Sequence, residues 1–202
     1  MRSKQQQEQH KNNNIKIVKL EEKHFPDISQ IFNEGFGSKS FCFCISGRQT
    51  VKEFTKLHDS SPNKRDIAFV AIDEDTQGIL GYIQLSKPGV PAFFGMHTCK
   101  ENEVYIDQIG VAARARGRGI GTKLLEFAEE HVRNEIQGIE IMTLEVLKGN
   151  PAIGLYERLG FEIKPVGSFS SCCTAMFVLL ILGRPYGLCH PACGSHWMIK
   201  KI

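Results

Sequence analysis

Near the middle of the chain, Arg114-Ala-Arg-Gly-Arg-Gly-Ile-Gly-Thr122 has the composition of an anion cradle. Gly117, Gly119 and Gly121 remove side chains, so backbone can approach a ligand closely. They stand where an amphipathic stretch begins. A helix N-terminus presents unpaired N–H groups at the positive end of its dipole. Arg114, Arg116 and Arg118 add forked donors suited to phosphate oxygens. Val104–Ile136 therefore reads as a strand, an arginine–glycine turn and a helix, an arrangement that holds a phosphate group.

Two common phosphate loops fail against these letters. The P-loop ends in Gly-Lys-Ser/Thr, whereas here Thr122 precedes Lys123. The dinucleotide fingerprint is G-x-G-x-x-G, whereas Gly117, Gly119 and Gly121 give G-x-G-x-G with no acidic strand end at the required distance. What fits is Arg116-x-x-Gly119-x-Gly121, which resembles the pyrophosphate loop of the GNAT acetyltransferases, [QR]-x-x-G-x-[GA]. A second stretch, Asn150–Phe161 (NPAIGLYERLGF), resembles that family's N-x-A-x-x-L-Y-[ER]-[KR]-x-G-F signature residue for residue. The two occur in the family's order, with one helix and one strand between them. His196-Trp-Met-Ile-Lys200 also resembles the family's closing strand.

The resemblance implies a fold, a donor and a set of roles. The fold is mixed α/β (α+β), a mostly antiparallel central sheet flanked by helices and splayed at its central strands. The donor is acetyl-CoA, a cosubstrate, and the acceptor a primary amine on a small molecule, a protein N-terminus or a lysine. The pyrophosphate would be held by the loop: Arg116, Gly117, Arg118, Gly119, Ile120, Gly121 and Thr122. Pantetheine would run along Ile109, Gly110 and Val111 like an added strand. A backbone N–H near Val111 would face the thioester oxygen. Gly110 would allow a bulge that opens the cleft against Ile139–Val146. Asn150 and Tyr156 would complete the cofactor site, with Tyr156 as general acid toward the departing sulfur. A phenol of pKa about 10 is a weaker acid than a thiol near 8.5, so full transfer is uphill by roughly 2 kcal/mol. Hydrogen bonding to the thiolate therefore matters as much as donation.

The base depends on the acceptor. Deprotonating a lysine-type amine at pH 7 costs roughly 4–5 kcal/mol, an α-amine only about 1.4. Where some relatives carry a glutamate on this strand, the chain has Tyr105. Glu103, Tyr105 and Asp107 alternate onto one face. Asp107 is the candidate base, directly or through water, with Glu103 as a second choice. The other reading makes both carboxylates solvated strand-end residues.

The elements that must position these residues follow from periodicity. The chain has 202 residues, enough for one domain with a real core. Met1–Asn14 is a polar tail expected to be disordered. Ile15–Leu20 is a strand. Glu21–Phe36 is an amphipathic helix with Phe25, Ile28, Ile31, Phe32 and Phe36 inward. Val51–Leu57 suggests a short helix, and Phe41–Cys44 a buried turn or substrate wall. Ser60–Arg65 is a polar turn. Ile67–Ile72 and Ile79–Leu85 form a hairpin, Lys87–Asn102 a connection, and Val104–Val111 the strand delivering the loop. The next helix buries Leu124, Leu125, Ala128, Val132 and Ile136 and stops at Gly138. Ile139–Val146 is a strand. Asn150 caps a short helix with Pro151 at its first position, and Phe161–Val166 begins another strand.

Gly167–Ser195 departs from the family as a long Cys-rich insertion within the single domain 15–202. It offers a cleft wall, a homodimer contact, a flawed gene model, or a zinc site through Cys172 or Cys173, Cys189, Cys193 and His196. The last spacing is not a standard zinc pattern, so no metal is expected. Seven cysteines without a leader suggest free thiols in a reducing compartment, cytoplasmic or nuclear. The apolar run Cys172–Leu182 is too short to span a bilayer, so no membrane partner is expected. A net charge of +3 without aromatic interleaving argues against nucleic acid. The competing class is a non-catalytic acyl-CoA-binding scaffold.

Overall fold

The computed structural model describes residues 14–36, 50–60, 62–90, 92, 97–165 and 195–202. The Phe41–Cys44 turn and nearly all of the 167–195 insertion lie outside them. Asn14, expected to belong to the tail, is tied to the hairpin turn: its side-chain amide donates to Asp75 and its carbonyl accepts from the N–H of Glu74.

The described strands are β1 (Ile15–Lys19), β2 (Ala68–Asp73), β3 (Ile79–Ser86), β4 (Glu103–Val111), β5 (Ile141–Leu147), β6 (Glu162–Lys164) and β7 (Ser195–Lys201). They form one sheet in the order β1-β2-β3-β4-β5-β7-β6. Every neighbouring pair is antiparallel except β4 and β5. Those two run parallel and pair only from Glu103↔Ile141 to Tyr105↔Thr143. Beyond Tyr105 they part, leaving a fork in the middle of the sheet.

The helices are α1 (Phe25–Phe36), α2 (Val51–Ser60), α3 (Ile120–Glu135) and α4 (Ile153–Arg158). On α1, Phe25, Ile28, Ile31 and Phe32 are buried at helical spacing. On α3, Ile120, Leu124, Leu125, Ala128 and Val132 are buried. Two glycines show how tightly these helices pack on the sheet. A Cβ on Gly110 would stand 2.8 Å from the Tyr82 ring and 3.1 Å from Ile31 of α1. A Cβ on Gly81 would stand 2.7 Å from the Gly110 carbonyl and 3.2 Å from both Ile120 and Leu124 of α3. Gly81 and Tyr82 are strand neighbours and point to opposite faces, so α1 and α3 cover opposite sides of the sheet.

Several expectations shift. Ser60–Arg65, read as a turn, is mostly a 3-10 helix over Pro62–Ile67. α3 ends at Glu135, where the Ile136 N–H closes on Val132, and Gly138 (φ 78°) serves the following turn rather than the helix end. α4 begins later than the Asn-Pro pair suggests. Asn150 Oδ1 accepts from the Ala152 N–H at 2.9 Å and shapes the turn before the helix instead of capping it. The irregularity in β4 is not at Gly110. Gln84 pairs with Gln108 and Leu85 with Ile106, so Asp107 is the extra residue. Gly110 is required instead because Tyr82 and Ile31 leave no room for a side chain.

Candidate active site

Beside the free end of β4 lies a cleft of about 810 Å³. Four stretches far apart in sequence meet there. Ile109, Gly110 and Val111 come from the free end of β4. Arg116, Gly117, Gly119, Ile120, Gly121 and Thr122 come from the loop and first turn of α3. Asn150 and Tyr156 come from the second signature, and Ile31, Phe32 and Glu34 from α1. Of the twelve residues expected at a cofactor site, only Arg118 is absent from this lining.

The loop is built to leave donors open. Gly117 (φ 75°) and Gly119 (φ 74°) hold the left-handed backbone that favours glycine. A Cβ at either position would meet nothing within 4 Å, so conformation rather than crowding requires glycine. Gly119 stands at the N-cap of α3, and no side chain among the described residues caps that helix. Its first N–H groups have no intrahelical acceptors and face the cleft at the positive dipole end. Gly121 serves differently: its missing Cβ would lie 3.2 Å from Leu155, so it lets α3 approach α4.

The three arginines divide their work. Arg114 donates to the Ile79 carbonyl at 2.7 Å and braces the end of β3. Arg118 reaches Asp73 at 3.8 Å, so its guanidinium belongs to β2 rather than to the cleft. Arg116 lines the cleft with its Nε 3.3 Å from the Val111 carbonyl. Arg158, at the end of α4, brings a second guanidinium to the same wall. Glu34 fixes the loop's entrance. Its carboxylate accepts from the Ala113 N–H at 2.9 Å, which holds it below the usual carboxylate range. Sequence reading missed Glu34, because nothing local ties an exposed helix carboxylate to a backbone N–H 79 positions away. Arg158 was legible inside the second signature.

Tyr156 is 6% exposed and packs edge-on against Phe161, with ring centres 6.0 Å apart. Its place on α4 brings Tyr156 into the lining of the cleft that Gly110 and Val111 also line. The carboxylates of β4 depart from expectation. Asp107 is not in the cleft. Its Oδ2 accepts from Lys64 Nζ at 3.0 Å and Ser86 Oγ at 3.2 Å, with Lys64 and Asp107 side chains 1% and 3% exposed. Glu103 is not solvated either: 2% exposed, it bonds His97, the Lys100 N–H and Thr143 Oγ1. The bulge turns Asp107 under the 3-10 helix that carries Lys64, removing the expected base from the fork.

At the root of the fork Tyr105 spans the strands. Burial raises its phenol far above the ordinary value, and its oxygen accepts from the backbone N–H of Glu145 on β5. Ser195 of β7 donates to the Glu145 carboxylate. Cys99 is the free thiol among the described residues, and burial beside Glu103 pushes it up to about 11, so it stays protonated. No helix among the described residues is long and apolar enough to cross a membrane.

A family model, curated relatives and solved structures match this chain. The family model described as acetyltransferase (GNAT) family matches residues 26–161. A mycothiol acetyltransferase of Mycolicibacterium gilvum (strain PYR-GCK) is 30% identical over 99 residues, covering 47% of this chain and 29% of that protein. The chain thus matches less than a third of that relative's length. A GCN5-related N-acetyltransferase from Kribbella flavida superposes with a TM-score of 0.64 at 19% identity, covering 94% of this chain and 99% of the other. yncA from Salmonella typhimurium, solved with its cofactor acetyl-CoA, superposes at 0.62 and 16% identity, covering 93% and 94%. At these identities the structural likeness speaks for the fold alone.

Proposed function

This chain belongs to the acetyltransferase (GNAT) family, and we propose that it moves an acetyl group from acetyl-CoA to a primary amine. One observation carries the reading. The loop, the free end of β4 and the Asn150–Tyr156 segment, drawn from separate stretches of chain, line a single cleft whose donors suit a diphosphate. The fit has a physical basis: an uncapped helix start, two left-handed glycines with open space beside them, and the Arg116 guanidinium on the same wall.

In this reading the first N–H groups of α3 and Arg116 hold the pyrophosphate. The unpaired edge of β4 at Ile109–Val111 offers backbone N–H and C=O groups to the pantetheine amides. Bound there, acetyl-CoA supplies an acyl carbon activated as a thioester. Ile31, Phe32 and Tyr82 wall the cleft and keep water from that carbon. Tyr156 supports the departing sulfur by hydrogen bonding. Because a phenol is the weaker acid at reference values, its role is to stabilise the thiolate until it takes up the second proton shed by the acceptor nitrogen. Asp107 is left out of the chemistry by its buried ion pair.

The experiment is thiol release from acetyl-CoA in the presence of peptides and small amines, with coenzyme A binding measured in parallel by calorimetry. Turnover on at least one amine is expected. Tight binding with no turnover on any acceptor would refute acetyl transfer and favour a scaffold that only binds the acyl carrier.

A further inference from the structure

β4 and β5 stay paired only as far as Tyr105 and Thr143, so the fork opens just beyond Tyr105. Ile109–Val111 and the glycine loop take up its far end. Tyr105, Glu145 and Trp197 meet at its near end, outside the cofactor cleft, and in this reading the acceptor approaches the reacting carbon from there.

A second polar device stands at that end. His97 Nε2 lies 2.9 Å from Glu103 Oε1. Glu103 is 2% exposed and His97 20% exposed, so the carboxylate is buried and the imidazole reaches solvent. Glu103 is itself held by the Lys100 N–H and by Thr143 Oγ1 of the neighbouring strand. The imidazole is clamped between rings, its centre 4.7 Å from Tyr105 and 4.9 Å from Trp197. A carboxylate only accepts, so Nε2 carries the proton and Nδ1 presents the lone pair. No hydrogen-bond partner engages Nδ1 among the described residues. A buried carboxylate fixing the tautomer of a half-open imidazole is the arrangement a general base needs. Packing alone does not call for a buried, fully hydrogen-bonded carboxylate at this point.

Resting on the acetyl-transfer reading, we propose that His97 is the base that deprotonates the acceptor amine, with Glu103 as its positioning residue. Nδ1 takes a proton from the ammonium, directly or through one water. The freed nitrogen lone pair forms the C–N bond to the thioester carbon, the C–S bond breaks, and sulfur leaves with the electron pair. Of the two protons the ammonium loses, one passes through His97 to solvent and the other ends on the sulfur.

The assay compares acceptors of different basicity in the wild type, His97→Asn and Glu103→Gln, with coenzyme A affinity as the check on folding. One acceptor is a lysine-type amine with pKa about 10.4, the other an α-amine near 8. His97→Asn should lower kcat/KM for the lysine-type amine by about 100-fold or more, but for the α-amine by less than about tenfold. Added imidazole should restore part of the loss. Glu103→Gln should lower kcat by about tenfold with KM unchanged. Equal losses on both acceptors, no loss, or no imidazole rescue overturn the assignment while acetyl transfer stands. A wild-type protein that binds coenzyme A but turns over neither acceptor overturns both.

Discussion

Replacing Asp107 with asparagine should destabilise the fold more than it impairs any chemistry. Its carboxylate and the Lys64 ammonium are 3.0 Å apart with side chains 3% and 1% exposed. Removing one charge leaves the buried ammonium facing a neutral amide, which typically costs about 3–5 kcal/mol. At roughly 2–4 °C per kcal/mol for a chain of this size, the melting temperature should fall by about 6–20 °C. Ser86 also donates to this carboxylate, and a neutral amide oxygen in its place accepts more weakly. The double variant Lys64→Met/Asp107→Leu removes both charges and should recover most of the loss, to within about 2 kcal/mol of the wild type. A double-mutant cycle by urea unfolding should thus give a coupling of a few kcal/mol. Coenzyme A affinity in the folded fraction should be unchanged. The reasoning fails if Asp107→Asn unfolds at the wild-type midpoint while kcat collapses, since Asp107 would then act on the substrate.

Gly119→Asp should raise the coenzyme A dissociation constant at least about tenfold, since a side chain strains a backbone at φ 74° and a negative charge enters an anion site; unchanged affinity by calorimetry would remove the loop from the site. Tyr156→Phe should lower kcat by roughly 10- to 100-fold while coenzyme A affinity stays within about threefold; a matching loss of affinity would make Tyr156 a structural residue only. His58 should make stability acid-sensitive. It is fully buried, stacked 5.2 Å from Phe25, neither ring nitrogen has a hydrogen-bond partner among the described residues, and burial beside Arg65 and Lys64 lowers it to about 4. The unfolded chain binds the proton near 6.5 and the folded one does not, so this stability is complete above that pH and lost as pH falls toward 4. The loss is on the order of 3 kcal/mol. His58→Phe should flatten that slope in denaturation from pH 7 to 4, and an unchanged slope would acquit His58.

Much of the cofactor side was legible in sequence because it is local. Gly117 and Gly119 take left-handed backbone within their own loop, and the buried face of α3 follows from spacing within one helix. The order of elements also followed from periodicity, since each strand and helix carries its pattern in a few consecutive residues. That the loop and the Asn150–Tyr156 signature form one site was implied by resemblance, and both line one cleft.

Contacts made across the sequence were decided only by the tertiary structure. Lys64 meets Asp107 across 43 positions, Thr143 meets Glu103 across 40, and Glu34 meets Ala113 across 79. Nothing near any of these residues marks its partner. A strand pattern places Glu103, Tyr105 and Asp107 on one face but does not show that Asp107 is an extra residue relative to β3. That one-residue irregularity turned an apparent base into half of a buried ion pair. Likewise three arginines look equivalent in sequence, and only the packed fold sends Arg114 to β3, Arg118 to Asp73 and Arg116 to the cleft. The sequence alone determined the kind of loop and helix that hold an anion, because those are properties of short segments. Which ionisable groups remain free to act depended on burial and on partners brought from far along the chain, and those arise only when the sheet closes around them.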